Sequence, residues 1–218
     1  MLLPLFPLPV VLFPGSRLPL RIFEPRYHAM LRDCLNGDRV FGVVFCDNGQ
    51  DERALPSGTV GCTAHIDEVG EPDSGQVHIV VSGRERFKLG TIDQQTAPYL
   101  VATGETLHDV EEPVAQLTAL SLRLAELFAE AALAARAIAD EPAPIAELAS
   151  DPSLIAYSAA GAIDLDAPAR QKLLESNSPS ARMRDVIRVL DTSLPSLRER
   201  AAIHRHAGTN GRAPKSHA

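Results

Sequence analysis

Pro4, Pro7 and Pro9 constrain the opening segment LLPLFPLPVV more tightly than any other feature constrains the rest of the chain. Each fixes φ and removes an N–H, so Leu2 to Val11 cannot be helical and is expected to run extended along a sheet edge. Phe13-Pro14-Gly15 predicts a turn, and Leu18-Pro19-Leu20-Arg21-Ile22-Phe23 resumes the extended path, which together predict a proline-edged hairpin. Glu24-Pro25 opens a short helix. Its Tyr27, Met30, Leu31 and Cys34 fall on one face before Asn36-Gly37 stops it.

Up to about Leu107 the pattern is that of short strands. Val40 to Phe45, Val60 to Val69, Val77 to Val81, Arg86 to Leu89 and Leu100 to Leu107 are β-branched or aromatic runs. Turn signals such as Asp47-Asn48-Gly49, Pro56-Ser57-Gly58 and Pro72-Asp73-Ser74-Gly75 separate them. Several strands with one early helix predict a small, partly closed barrel over residues 1–110. After Glu111-Glu112-Pro113 the period changes: Leu117, Leu120, Leu124, Leu127, Ala131, Ala134 and Ile138 recur at three or four residues. That spacing predicts an amphipathic helix over Val114 to Ile138, about 38 Å long, ended by Pro142 and Pro144. Asp151-Pro152 predicts a helix reaching Gly161, Asp166 and Pro168 a second, and Ser180 to Leu190 a last one. The fold class is therefore α+β: a β-barrel, a helical subdomain over 111–199, and a basic tail over 200–218 that is too poor in apolar residues to order itself.

Charge separates these parts. Residues 1–110 hold nine Lys/Arg against fourteen Asp/Glu, residues 111–199 eight against fourteen, and residues 200–218 four against none. An acidic body disfavours general nucleic-acid binding, because phosphates would be repelled. Cys34, Cys46 and Cys62 are odd in number and set in apolar runs, so they read as reduced core residues. The start lacks a basic n-region and its apolar run is cut by prolines, so no signal peptide or membrane association is expected, and cytoplasm is the default.

Catalytic signatures are missing. Lys88, Lys172 and Lys215 are the only lysines and none follows a glycine, so there is no phosphate-cradling loop; GxSxG and HExxH are absent too. Cys46, His65 and Asp67 have the residue types of a thiol triad, but nothing nearby would lower the thiol pKa. His204, His206 and His217 are a loose metal set in the tail, and Asp164 with Asp166 reads better as helix capping than as an acid–base pair. No cofactor, metal or catalytic residue is expected.

The segments PLFPLPVVLFPG, LPLRIFEPRY and GRERFKL resemble the N-terminal domain of Lon proteases, most closely its free-standing bacterial form; the same module occurs in cereblon. Asp151 to Leu190 resembles the helical half of that region, with its DP start, KLLE helix and arginine-rich last helix. The resemblance implies a pseudo-barrel similar to the PUA fold and a role in recognising polypeptide segments or a partner protein, without ATPase or peptidase. It singles out Arg21, Phe23, Glu24, Arg26, Tyr27, Arg84, Arg86 and Phe87, with Glu85 among them, as the lining of a peptide groove. A structural reading competes for the same residues: Glu24 caps the helix at Pro25 and pairs with Arg84 or Arg86, while Phe23, Tyr27 and Phe87 are core. The rivals to protein recognition are an RNA-binding PUA-like protein anchored by its basic tail and a hydrolase with an unfamiliar site.

Overall fold

Long-range strand pairing decides the architecture of the computed structural model, which describes residues 1–72, 74–139 and 144–210. The strands are β1 (Leu2–Leu8), β2 (Arg17–Ile22), β3 (Val40–Phe45), β4 (Val60–Val69), β5 (Val77–Asp93) and β6 (Val101–Thr106). Their order is β2-β5-β4-β3-β1-β6, and β6 pairs back onto β5, so five strands close a ring and β2 extends it. The expected α+β pseudo-barrel is present.

Two local expectations give way to this closure. β1 and β2 do not pair with each other: β2 is antiparallel to β5, while β1 lies between β3 and β6, so the proline-rich strand is neither half of a hairpin nor at the sheet's edge. Its prolines are accommodated because the two pairings use different stretches. Leu2–Pro4 pair with β6 and Leu5–Leu8 with β3; the Leu5 N–H donates to the Leu100 carbonyl at 2.8 Å and the Cys46 N–H to the Leu8 carbonyl at 2.9 Å, so Pro4 and Pro7 fall at the alternate positions, where a missing N–H costs no ladder bond. The runs Val77 to Val81 and Arg86 to Leu89 are one bent strand, β5, whose first half carries β2 and whose second half carries β6.

Phe87 fills the ring. A Cβ at Gly42 or Gly61 would lie 2.8 Å from its ring, and one at Gly104 3.1 Å, so three strands carry glycine where the aromatic needs room. Leu3, Leu5, Val44, Leu89 and Ala102 are among its neighbours in this inner cluster. A second, larger cluster joins the outside of the barrel to the helices. It runs from Ile66 and Val81 through Tyr27 and Met30 of α1 (Pro25–Leu35) to the packed faces of α2 (Val114–Ile138), α3 (Ile155–Ala162), α4 (Ala167–Glu175) and α5 (Pro179–Asn210).

The bounds of α2 and the buried face of α1 match the sequence pattern residue for residue. Pro144 follows the end of α2, and Pro142 lies outside the described residues. α3 begins at Ile155 rather than at Pro152, because Asp151 spends its side chain on a turn, accepting from the Ser153 N–H at 2.8 Å. Asp166 caps α4 as expected, accepting from the Ala169 N–H at 2.8 Å. α5 is longer than expected, running through Pro195 to Asn210, with Ala201 buried, so residues 201–210 are helical where disorder was expected; residues 211–218 lie outside the described part. No helix among the described residues is long and apolar enough to cross a membrane.

α2 and α5 run parallel. Arg123 pairs with Asp191 at 3.3 Å and Glu130 with Arg198 at 2.5 Å, one heptad further along both helices. The apolar positions agree: Leu117 to Ile138 alternate by three and four, and so do Met183, Ile187, Leu190, Leu194, Leu197 and Ala201. The two helices pair in the heptad register of a coiled coil, with charge pairs beside the seam.

Candidate functional site

Where β1 ends, its prolines become one wall of a groove of about 410 Å³. Phe6 to Pro9 form that wall, the end of β2 and the start of α1 form the second, and the loop from Cys46 to Glu52 forms the third. The second wall follows from local sequence: Pro25 starts α1 at a fixed φ, and Glu24 is held extended before it. This turns Tyr27 inward and leaves Phe23 61% exposed at the groove.

Arg26 organises the charges. Its Nε donates to Glu24 at 2.8 Å and its Nη1 to Glu52, while the guanidinium lies 4.4 Å over the Tyr27 ring. Tyr27 donates in turn to Glu52 at 3.3 Å. The Glu52 hydrogen bond, the largest influence on Arg26, raises its pKa and keeps it charged, and burial followed by the negative charge of Glu52 raises that of the Tyr27 phenol. Burial, then Glu52, Asp47 and Asp51, push the Cys46 thiol up as well. Every resolved shift at the groove therefore moves away from a reactive base or nucleophile at neutral pH.

Of the eight residues expected to bind peptide, Arg21, Phe23, Glu24, Arg26 and Tyr27 line this groove. The other three do not. Arg84 is exposed on β5, 3.9 Å from Asp67. Phe87 is the plug of the barrel. Arg86 is buried on the helical side, 2.6 Å from Asp109, and donates to the carbonyl oxygens of Leu174 and Ser176. The structural reading holds only in part: Tyr27 and Phe87 are core, but Glu24 sits at the N-cap position without a side-chain cap hydrogen bond, and its partner is Arg26 rather than Arg84 or Arg86. Phe23 is not core.

Glu52 and the proline wall went unforeseen as groove residues. Glu52 stands in an aperiodic charged loop where nothing in sequence points towards α1. Asp109 and Arg182 also went unforeseen. Arg182 is fully buried, binds both oxygens of Asp109 at 2.6 Å, and stacks over Tyr157 at 4.6 Å.

The softer constellations fall apart. His65 pairs with Asp67 at 3.0 Å, but Val40 is the cross-strand neighbour of His65 and Cys46 lies six positions beyond Val40, roughly 20 Å along the sheet. Asp164 does not share the capping role of Asp166. His204 is exposed, and the side chains of His206 and His217 lie outside the described part. Among the described residues no group of three His, Cys, Asp or Glu is placed to hold a metal.

The groove's open edge disfavours strand addition. The Gly83 N–H donates to the Ser16 carbonyl at 2.9 Å, which fixes the alternation: Leu18, Leu20 and Ile22 bond to β5, while Arg17, Pro19 and Arg21 turn their backbone outward. Pro19 has no N–H to offer an added strand there.

Residues 2–192 match the family model described as the ATP-dependent protease La (LON) substrate-binding domain. The Lon protease of Anaeromyxobacter dehalogenans is 29% identical over 194 residues, covering 87% of this chain and 23% of that protein. Lon protease 2 of Myxococcus xanthus is 28% identical over 193 residues, again 87% and 23%. Protein cereblon of Gallus gallus is 33% identical over 87 residues, 40% of this chain and 19% of that protein. The chain thus spans about a quarter of the length of the Lon proteases it matches. Two solved structures share the fold. The Lon N-terminal domain protein from Xanthomonas campestris has a TM-score of 0.62 at 23% identity, covering 84% of this chain and 95% of that one. The N-terminal domain of the Mycobacterium avium complex Lon protease has 0.64 at 19%, covering 88% and 98%.

Proposed function

The chain belongs to the Lon substrate-binding domain family, and from that premise we propose that it is a non-enzymatic recognition module that holds exposed apolar segments of unfolded polypeptides in the groove between β1, β2 and the Cys46–Glu52 loop. The observation that carries this reading is Phe23: a large aromatic left 61% exposed beside a groove walled by Leu8, Pro9 and Leu20. Exposed aromatics in concave apolar surroundings are where binding energy concentrates. The groove's titratable groups support binding rather than catalysis, since Tyr27 and Cys46 are both held in their neutral forms. A role as adaptor or chaperone-like holder follows from the same site, with the client captured by side-chain contacts because Pro19 blunts the strand edge.

Retention of reduced, carboxymethylated lactalbumin on the immobilised chain tests this. Wild type is expected to retain it, and Phe23→Asp to lose at least about tenfold in affinity, in keeping with the roughly 2 kcal/mol that an aromatic anchor supplies. Its melting temperature should be unchanged because Phe23 lies outside the core. Equal retention by both proteins would overturn the assignment of the groove.

A further inference from the structure

Resting on that reading, we infer that Arg21 makes the groove selective for apolar segments that carry an acidic side chain close to the apolar residue. The charged side chains lining the groove nearly all have partners already. Arg26 gives its nitrogens to Glu24 and Glu52. Asp47 accepts the Asn48 N–H at 2.8 Å within its own loop turn. Arg21 differs. It is exposed at the end of β2, lines the groove, and makes no hydrogen bond or ion pair among the described residues. Its guanidinium can therefore take a carboxylate without first breaking an internal pair.

Its position sets the spacing. Arg21 and Phe23 are two positions apart at the extended end of β2, about 7 Å along the chain, a separation matched by alternate residues of an extended peptide. An apolar side chain against Phe23 then places the side chain two residues away beside Arg21. Because the chain as a whole carries a formal charge of −7, this cation works against the background field, and its preference must be local.

Fluorescence anisotropy with the whole chain and three labelled, unstructured peptides tests the inference. The peptides share one Leu-Phe core and differ only two positions from the Phe, where they carry Glu, Gln or Lys. The Glu peptide should bind about threefold more tightly than the Gln peptide at low salt, the size of an exposed ion pair, with the Lys peptide weakest. The advantage should shrink as salt is raised. Arg21→Gln should bring the Glu and Gln peptides to equal affinity, and Arg21→Lys should keep most of the preference. Equal binding of Glu and Gln peptides by wild type, or a preference that survives Arg21→Gln, would overturn the inference while leaving polypeptide recognition standing. Failure of all three peptides to bind would overturn both.

Discussion

Two arginines from segments far apart share one carboxylate. Arg86 on β5 and Arg182 on α5 are both buried, and both reach Asp109 at 2.6 Å. Two guanidiniums against one carboxylate would leave an excess positive charge, and the C-terminal end of α4 offsets it. The Leu174 and Ser176 carbonyls accept from Arg86, Ser176 also accepts from Arg182 at 2.8 Å, and Ser153 does so at 2.9 Å. Phe13 stacks on Tyr157 at 5.0 Å, so the cluster ties the turn after β1 to the helices. Asp109→Ala removes the one anion and strands both cations, which should cost on the order of 3–5 kcal/mol in urea denaturation. Glu24→Ala should cost under about 1 kcal/mol, because its pair with Arg26 is 40% and 31% exposed and no cap is lost. Equal losses in the two variants would mean that Asp109 is not the hub of the cluster.

At the level of elements, periodicity carried what was local and missed what was not. Tyr27, Met30, Leu31 and Cys34 announce the buried face of α1 because a helix repeats within its own sequence, and Asp166 announces a cap for the same reason. Strand partners are set by closure of the barrel. Hence the hairpin expected between β1 and β2 is replaced by pairings to β3, β5 and β6, and nothing near Gly42, Gly61 or Gly104 points to Phe87. The groove was legible on the one wall that the LRIFEPRY segment builds; Glu52 reaches it only through the fold. The α2–α5 pair is an intermediate case, since each heptad run is readable alone and their parallel alignment is not. That alignment predicts a favourable coupling between Glu130 and Arg198 of about 0.5 kcal/mol in a double-mutant cycle with alanine, falling as salt is raised. Zero coupling at low salt would argue against this register.

Across the whole molecule, one carboxylate links the barrel-to-helix connection to the start of α5, and its ionisation makes their junction sensitive to acid. Glu112, just before α2, accepts from the Ser180 N–H at 3.1 Å and from the Ser178 hydroxyl. Ser178 in turn accepts the Ala181 N–H at 3.0 Å. Burial acts to raise the pKa of Glu112, but hydrogen bonds from Ser178 and Ser180, with the Arg184 charge, outweigh it and leave the value below the ordinary 4.5. A carboxylate whose pKa is lower folded than unfolded stabilises the fold above its unfolded value, and that contribution disappears as pH falls through the folded one. Thermal melts from about pH 7 to about pH 3 should therefore show Glu112→Gln less stable than wild type at neutral pH, with the gap closing below 4.5 as the wild-type carboxyl takes up its proton. Asp67, held below its usual range chiefly by the His65 hydrogen bond, adds an acid loss common to both proteins and cancels in the difference. A gap that stays constant across that range would assign Glu112 to packing rather than to charge.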